Sequence, residues 1–143
     1  MKIVLLGRGG EGVLYLSRLI IKLFEDKSIL SSEIHGMAKK GGLVEVHLKI
    51  GNYKSPIIGY NKADLVVLLN NFFEKLGSAY SKNVIGLSDD ELAYITKTNP
   101  KMLNIYMFGK LAKRLNIDYK KALSLIDQKN NEFFNKGYNN DIQ

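Results

Sequence analysis

An α/β domain of three layers, α/β/α, around a mixed and largely parallel sheet is what this sequence predicts, and three observations predict it. First, a compact apolar run, Lys2 to Leu6, ends in glycines and is followed by a helical pattern. Second, further apolar runs alternate with helical stretches down the chain, which is how a sheet covered by helices reads in sequence. Third, the run from Leu43 to Ile50 is separated from the strand before it by a glycine-bounded loop and not by a helix. Two successive strands without a crossover helix make the sheet mixed.

The elements follow in order. Val13, Leu16, Ile20, Leu23 and Phe24 recur at three- and four-residue steps and predict a helix from Val13 to about Phe24. Ile29 to His35 is the second strand, and Gly36 to Gly42 a basic loop. Leu43 to Ile50 alternates, with Val44, Val46, Leu48 and Ile50 toward the core and Glu45, His47 and Lys49 outward. Such a strand suits an edge or an interface. Ala63 to Leu69 is a central strand, Phe72 to Ala79 a short helix and Asn83 to Leu87 a last strand. Ser88 caps a helix over Asp89 to Tyr94, and Asn99-Pro100 starts another, with Asn as cap and Pro in its first turn. Asp118 caps one final helix whose Ala122, Leu125, Ile126, Lys129 and Phe133 share a stripe, and the polar tail, about 137–143, frays. The expectation is a single domain, 1–143.

Composition narrows the function. The 143 residues include no cysteine, which excludes disulfides and any cysteine-ligated iron–sulfur or zinc-thiolate site in this chain. Two histidines twelve residues apart predict no metal site. Neither a membrane-length apolar run nor a signal-peptide pattern is present, so a cytoplasmic location is expected. The net charge of +7 admits an acidic protein, an anionic membrane or nucleic acid as a partner. The lysines are scattered and no aromatic-rich basic motif accompanies them, so a solvated basic surface, with no membrane and no nucleic acid, is the reading adopted.

Gly7, Gly9 and Gly12 satisfy the G-x-G-x-x-G pattern in a Rossmann-like position, after a strand and before a helix. Glycine there permits a tight turn and close approach of a ligand or another backbone, and a helix N-terminus favours anions. Glu33, 21 residues beyond Gly12, lies about where a dinucleotide fold places its ribose-binding acid. A free-standing dinucleotide- or nucleotide-binding module is therefore the alternative reading. Against it, Glu11 puts a negative charge into the first helical turn. The loop residues Gly7, Arg8, Gly9, Gly10, Glu11 and Gly12 are candidates for cofactor binding or for a subunit interface, and a structural turn explains them equally well.

The order of segments adds a resemblance. Gly7-Arg8-Gly9-Gly10-Glu11-Gly12-Val13 resembles the G-x-G-G-Q-G-V start of the small, gamma-type domain of 2-oxoacid:ferredoxin oxidoreductases. Ser32-Glu33-Ile34-His35-Gly36-Met37-Ala38-Lys39-Lys40-Gly41-Gly42 is similar to the S-E-x-H-G-M-A-Q-R-G-G segment of the indolepyruvate oxidoreductase beta subunit. Val44 to Ile50, Ala63-Asp64-Leu65 and Asn104 to Gly109 resemble later segments of that family, and Asn135-Lys136-Gly137-Tyr138 does so loosely. Glu11 departs from the usual Gln, and Lys39-Lys40 from the usual Gln-Arg; lysine keeps the charge but loses arginine's planar fork.

The resemblance implies a subunit of a complex that oxidatively decarboxylates a 2-oxo acid to acyl-CoA, with ferredoxin as electron acceptor. Thiamine diphosphate and iron–sulfur clusters would sit on larger partner chains, with coenzyme A in the same complex. This chain would bind no cofactor alone, supply no catalytic residue and be inactive in isolation. His35, Gly36, Met37, Lys39, Lys40, Gly41 and Gly42 would form an interface or a loop near coenzyme A. The alternating strand also offers a route to a homo-dimer.

Overall fold

In the computed structural model, residues 1–35 and 42–140 are described. The chain divides into two compact units, Met1–Gly86 and Leu87–Gln143.

The first unit holds a five-stranded sheet. Its strands are β1 (Lys2–Arg8), β2 (Ile29–His35), β3 (Leu43–Ile50), β4 (Leu65–Leu68) and β5 (Val84–Ile85), in the order β2-β3-β1-β4-β5. β1, β4 and β5 are mutually parallel, while β3 runs antiparallel to both β1 and β2. The sheet is therefore mixed, as the missing crossover helix requires. Helix α1 (Val13–Leu23) follows the glycine turn and buries Val13, Leu16, Leu19, Ile20 and Leu23. Helix α2 (Glu74–Tyr80) follows a 3-10 turn at Asn71–Phe73, which Asn70 caps by accepting from Phe72 N–H at 2.9 Å.

The two-residue period of β1 sorts the layers. A side chain on Gly7 would meet Val13 of α1, so Ile3, Leu5 and Gly7 face that helix. A side chain on Gly77 of α2 would meet Val66 and Leu6, so Val4 and Leu6 face the other way, in one cluster with Ile58, Val66, Leu68 and Tyr80.

Register then corrects one expectation. Leu6 is opposite Glu45 and Val4 opposite His47, which turns both polar side chains toward α2. Neither faces solvent: Glu45 is 6% exposed and His47 1%. The alternation in β3 does not mark an edge, because β3 lies between β2 and β1 with helices on both faces. It marks a second buried face that carries an internally hydrogen-bonded polar pair.

The second unit contains α3 (Asp89–Thr98), α4 (Leu103–Arg114), α5 (Tyr119–Leu123) and α6 (Asn131–Asn139). Ser88 opens α3 with a full capping box: its hydroxyl accepts from Glu91 N–H at 3.1 Å, and Glu91 Oε1 accepts from Ser88 N–H at 2.9 Å. Asn99 and Pro100 open a 3-10 turn that leads into α4. Two expectations are corrected here. The segment after Asp118 is two helices, not one; the chain breaks after Leu123, where Ser124 Oγ donates to the Lys121 carbonyl, and restarts through a 3-10 turn at Gln128–Asn130. The break brings Phe134, and not Phe133, into the core at 0% exposure. Gly137 is also no frayed tail: it lies inside α6 and is buried.

A buried carboxylate ties this unit together. Glu91, 1% exposed, accepts from Lys110 Nζ at 2.8 Å and from Tyr106 Oη at 2.8 Å. Burial pushes its carboxyl up, but the bonds from Lys110, Ser88 and Tyr106 outweigh that and hold it below the usual carboxylate range.

Candidate functional site

The glycine loop leaves the carboxyl end of β1 beside the carboxyl end of β4, where ligands of α/β sheets gather. Gly10 and Gly12 adopt φ of 94° and 83°, left-handed values that side-chain-bearing residues rarely take. Gly12, which has no side chain to cap with, is the N-cap of α1. Gly9 N–H donates to the Gly42 carbonyl at 2.9 Å, so the two glycine loops of the sequence touch through backbone.

Glu11 sets the shape of the turn. Its Oε1 accepts from Arg8 N–H at 2.6 Å and its Oε2 from Asn70 Nδ2 at 3.0 Å. One carboxylate thus links the end of β1 to Asn70, two residues past β4. Glu11 precedes the helix, which begins at Val13, so the expected charge in the first helical turn is absent; the first turn of α1 holds no acidic residue.

Arg8 lies over aromatic rings, with its guanidinium carbon 4.8 Å from the Phe72 ring centre and 5.9 Å from that of Phe73. Its Nε is buried and has no hydrogen-bond partner among the described residues. Phe72 itself is 74% exposed. A cleft of about 430 Å³ opens beside the loop, lined by Arg8, Gly9, Gly10, Gly12, Tyr15 and Val44 among others. Backbone amides, one cation and exposed aromatic surface suit an anionic group or another chain.

Of the second candidate segment, the backbone of His35 ends β2 and Gly42 meets Gly9. Gly36, Met37, Lys39, Lys40 and Gly41 lie outside the described residues. The dinucleotide reading meets a topological objection. Glu33 pairs with Val46, which pairs with Leu5, so β3 stands between the acid's strand and the strand that carries the glycine loop. Two strand spacings, roughly 10 Å, separate what a dinucleotide fold sets on adjacent strands.

The residues that sequence reasoning missed are the polar cluster beneath α2. His47 Nδ1 accepts from Ile58 N–H at 2.9 Å, which leaves the ring proton on Nε2, 2.5 Å from Glu45 Oε2. Tyr80 Oη donates to the same oxygen. Burial pushes the Glu45 carboxyl up, but the bonds from His47 and Tyr80 outweigh it and leave it lowered; burial and the Glu45 charge both push the Tyr80 phenol up. The available signal was slight: an acid and a histidine at i and i+2, which share one face of β3 and can pair.

Against known proteins, the family model for pyruvate ferredoxin/flavodoxin oxidoreductase matches residues 2–92, which include the glycine loop and every strand. The chain belongs to the pyruvate ferredoxin/flavodoxin oxidoreductase family. Subunit IorB of the indolepyruvate oxidoreductase of Archaeoglobus fulgidus is 38% identical over 71 residues, 48% of this chain and 35% of that protein. The matched stretch thus spans about a third of that relative's length. Two solved structures share the fold. The gamma subunit of a keto/oxoacid ferredoxin oxidoreductase from Geobacter sulfurreducens superposes with a TM-score of 0.65 at 15% identity, covering 96% of this chain and 95% of that one. The 2-oxoglutarate:ferredoxin oxidoreductase of Magnetococcus marinus, determined with 2-oxoglutarate, coenzyme A and succinyl-CoA bound, superposes with a TM-score of 0.74 at 16% identity, covering 96% of this chain and 30% of that one. The family's α/β fold is therefore the fold expected from the sequence. Among the described residues no helix is long and apolar enough to cross a membrane, and no group of three or more His, Asp or Glu could hold a metal ion.

Proposed function

We propose that this chain is the small, gamma-type subunit of a 2-oxoacid:ferredoxin oxidoreductase, and that residues 1–143 act as one such domain. The observation that carries the reading is the family match through residues 2–92. The fold shared across 95% of the Geobacter gamma subunit supports it. The complex would decarboxylate a 2-oxo acid oxidatively, form an acyl-CoA and pass electrons to ferredoxin in the cytoplasm.

Thiamine diphosphate and the iron–sulfur clusters belong on larger partner chains. The chain has no cysteine to hold a cluster. It contributes a surface: the glycine loop, Gly7 to Gly12, with Arg8 laid over Phe72, and Gly42, whose carbonyl meets Gly9. A guanidinium whose Nε has no partner among the described residues and an exposed phenyl ring are residue types that protein interfaces favour. In this reading His35, Lys39 and Lys40 meet the partner or the phosphates of coenzyme A, and no residue of this chain touches the reacting atoms.

The test is co-purification from the native cytoplasm, with thiamine diphosphate and iron measured in the eluate. A cysteine-rich chain carrying both, and 2-oxo acid-dependent dye reduction lost when this subunit is stripped away, is the expected result. Dye reduction by the purified chain alone, or recovery of the chain without such a partner, overturns the proposal.

A further inference from the structure

Lys2 of β1 and Lys49 of β3 stand directly opposite one another in the sheet. Ile50 N–H donates to the Met1 carbonyl at 2.8 Å, so the Lys2–Lys49 pair beside it is of the non-hydrogen-bonded class, where side chains come closest. Like charges so placed repel. Both ammonium groups lie over the Tyr53 ring, 5.7 and 5.5 Å from its centre, and neither forms an ion pair among the described residues. The loop that follows, 51–64, returns to its starting point: Asp64 N–H donates to the Lys2 carbonyl at 2.8 Å. Compact loops with adjacent ends are frequently functional. This one is pinned at its middle, where Ile58 is 2% exposed and gives its N–H to His47. Lys62 N–H donates to the Gly59 carbonyl at 3.2 Å and closes a tight turn through Tyr60 and Asn61, and Asn61 N–H holds the Ala79 carbonyl of α2 at 2.8 Å. The fixed loop exposes Lys54, Ile57, Tyr60 and Lys62, with Ile57 at 49% and Tyr60 at 63%.

We propose that the amino end of β1, together with the loop 51–64, is a docking surface for an acidic, apolar-centred segment of a protein partner. Charge complementarity selects the occupant. Between Glu45 and Asp64 the sequence holds three lysines and no acid. Glu45 is buried, and the Asp64 carboxylate is turned to the Lys2 backbone N–H at 2.8 Å. Carboxylates set against Lys2 and Lys49 relieve a repulsion that the free chain carries. Ile57 and Tyr60 supply an apolar middle, and Lys54 and Lys62 a charged rim, which is the anatomy of a protein interface. A second copy of this chain would bring lysine against lysine. A nucleic acid would leave the Ile57 side chain without a counterpart. The surface lies at the other end of β1 from the glycine loop, about 20 Å along the strand. It therefore does not rest on the oxidoreductase reading.

The probe is a fluorescein-labelled peptide of Asp and Glu residues around a central Leu-Phe, titrated into the full chain and followed by anisotropy. Binding should weaken about tenfold when Leu-Phe is replaced by Ser-Ser, and about tenfold on Tyr60→Ser. It should also fall as salt rises. Lys49→Glu sets an acid opposite Lys2. It should hold or raise the urea midpoint of the free chain while weakening the peptide about tenfold. A lysine pair with no binding role would show the first effect without the second. Backbone amide shifts on adding peptide should centre on Tyr53, Ile57 and Tyr60. A peptide that does not bind, that binds the Lys49→Glu and Tyr60→Ser chains as it binds the parent, or that shifts the glycine loop instead, overturns the proposal. Tighter binding to a short duplex DNA or to phosphatidylserine vesicles than to the peptide also overturns it, since either would make the surface a general polyanion site.

Discussion

Gly109 of α4 and Gly137 of α6 lie backbone to backbone: a methyl group added to Gly109 would come within 3.2 Å of the Gly137 carbonyl carbon. The same methyl would stand 2.7 Å from Tyr138 N, and one on Gly137 would stand 2.9 Å from the Tyr106 carbonyl carbon. The obstacles are main chain, which cannot swing aside. Two helices approach this closely only where both carry glycine.

Gly137→Ala and Gly109→Ala are therefore each expected to destabilise the chain by more than about 2 kcal/mol, despite alanine's better helix propensity. Urea unfolding followed by circular dichroism measures this. A neutral or stabilising result at either position would show that the helices have room.

Acid should unfold the protein through two carboxylates. Glu45 and Glu91 both have lowered folded-state pKa values. Their contribution to stability is fully present above the unfolded carboxylate value of about 4.3 and is lost as pH falls through the folded value. Glu91→Gln is expected to lower stability at neutral pH by about 2 kcal/mol, because Lys110 and Tyr106 lose a charged acceptor. The gap between variant and parent should narrow as pH falls below about 4. Urea midpoints across that range provide the check.

Tyr80→Phe removes one of the two donors that the buried Glu45 carboxylate has among the described residues. A loss of about 1.5–3 kcal/mol is expected, since a charged group is left under-satisfied. Val46→Ala would also destabilise, by cavity formation, but should leave the acid limb of the stability curve unchanged, whereas Tyr80→Phe should shift that limb toward neutral pH.

Glu11→Gln and Glu11→Ala separate the two halves of the clamp at the glycine loop. A glutamine oxygen can still accept from Arg8 N–H, but its amide group faces the Asn70 amide. The expected order is a loss of about 1 kcal/mol for Gln and about 2 kcal/mol for Ala. Amide exchange at Arg8 and thermal unfolding report the two effects separately.

Much of the fold was legible because its signals are local. The apolar run of β1, the glycine turn, the α1 stripe and the Ser88 and Asn99 caps each announce themselves within a few residues. What escaped was set by long-range pairing. Nothing near Glu45 and His47 says that their face of β3 is covered; that follows from Tyr80 and Ile58, which close over them from later in the chain. The break after Leu123 escaped because its apolar stripe continues at helical spacing across a turn. At the candidate site the glycines were readable as a turn, but the partners of Glu11 were not, because Asn70 is 59 residues away.

The strand order has a consequence for synthesis. β1 is the hub of the sheet, yet its parallel neighbour β4 is encoded some way behind it. β1, α1, β2 and β3 all lie within the first 50 residues and can assemble as soon as they leave the ribosome. The β4 side of β1 then waits, apolar and uncovered, while the stretch up to Leu68 is translated, on the order of seconds at ordinary elongation rates. A nascent chain stalled just after Ile50 should be the species most prone to capture by chaperones or by another nascent chain. Release from that hazard should coincide with the emergence of Leu65–Leu68.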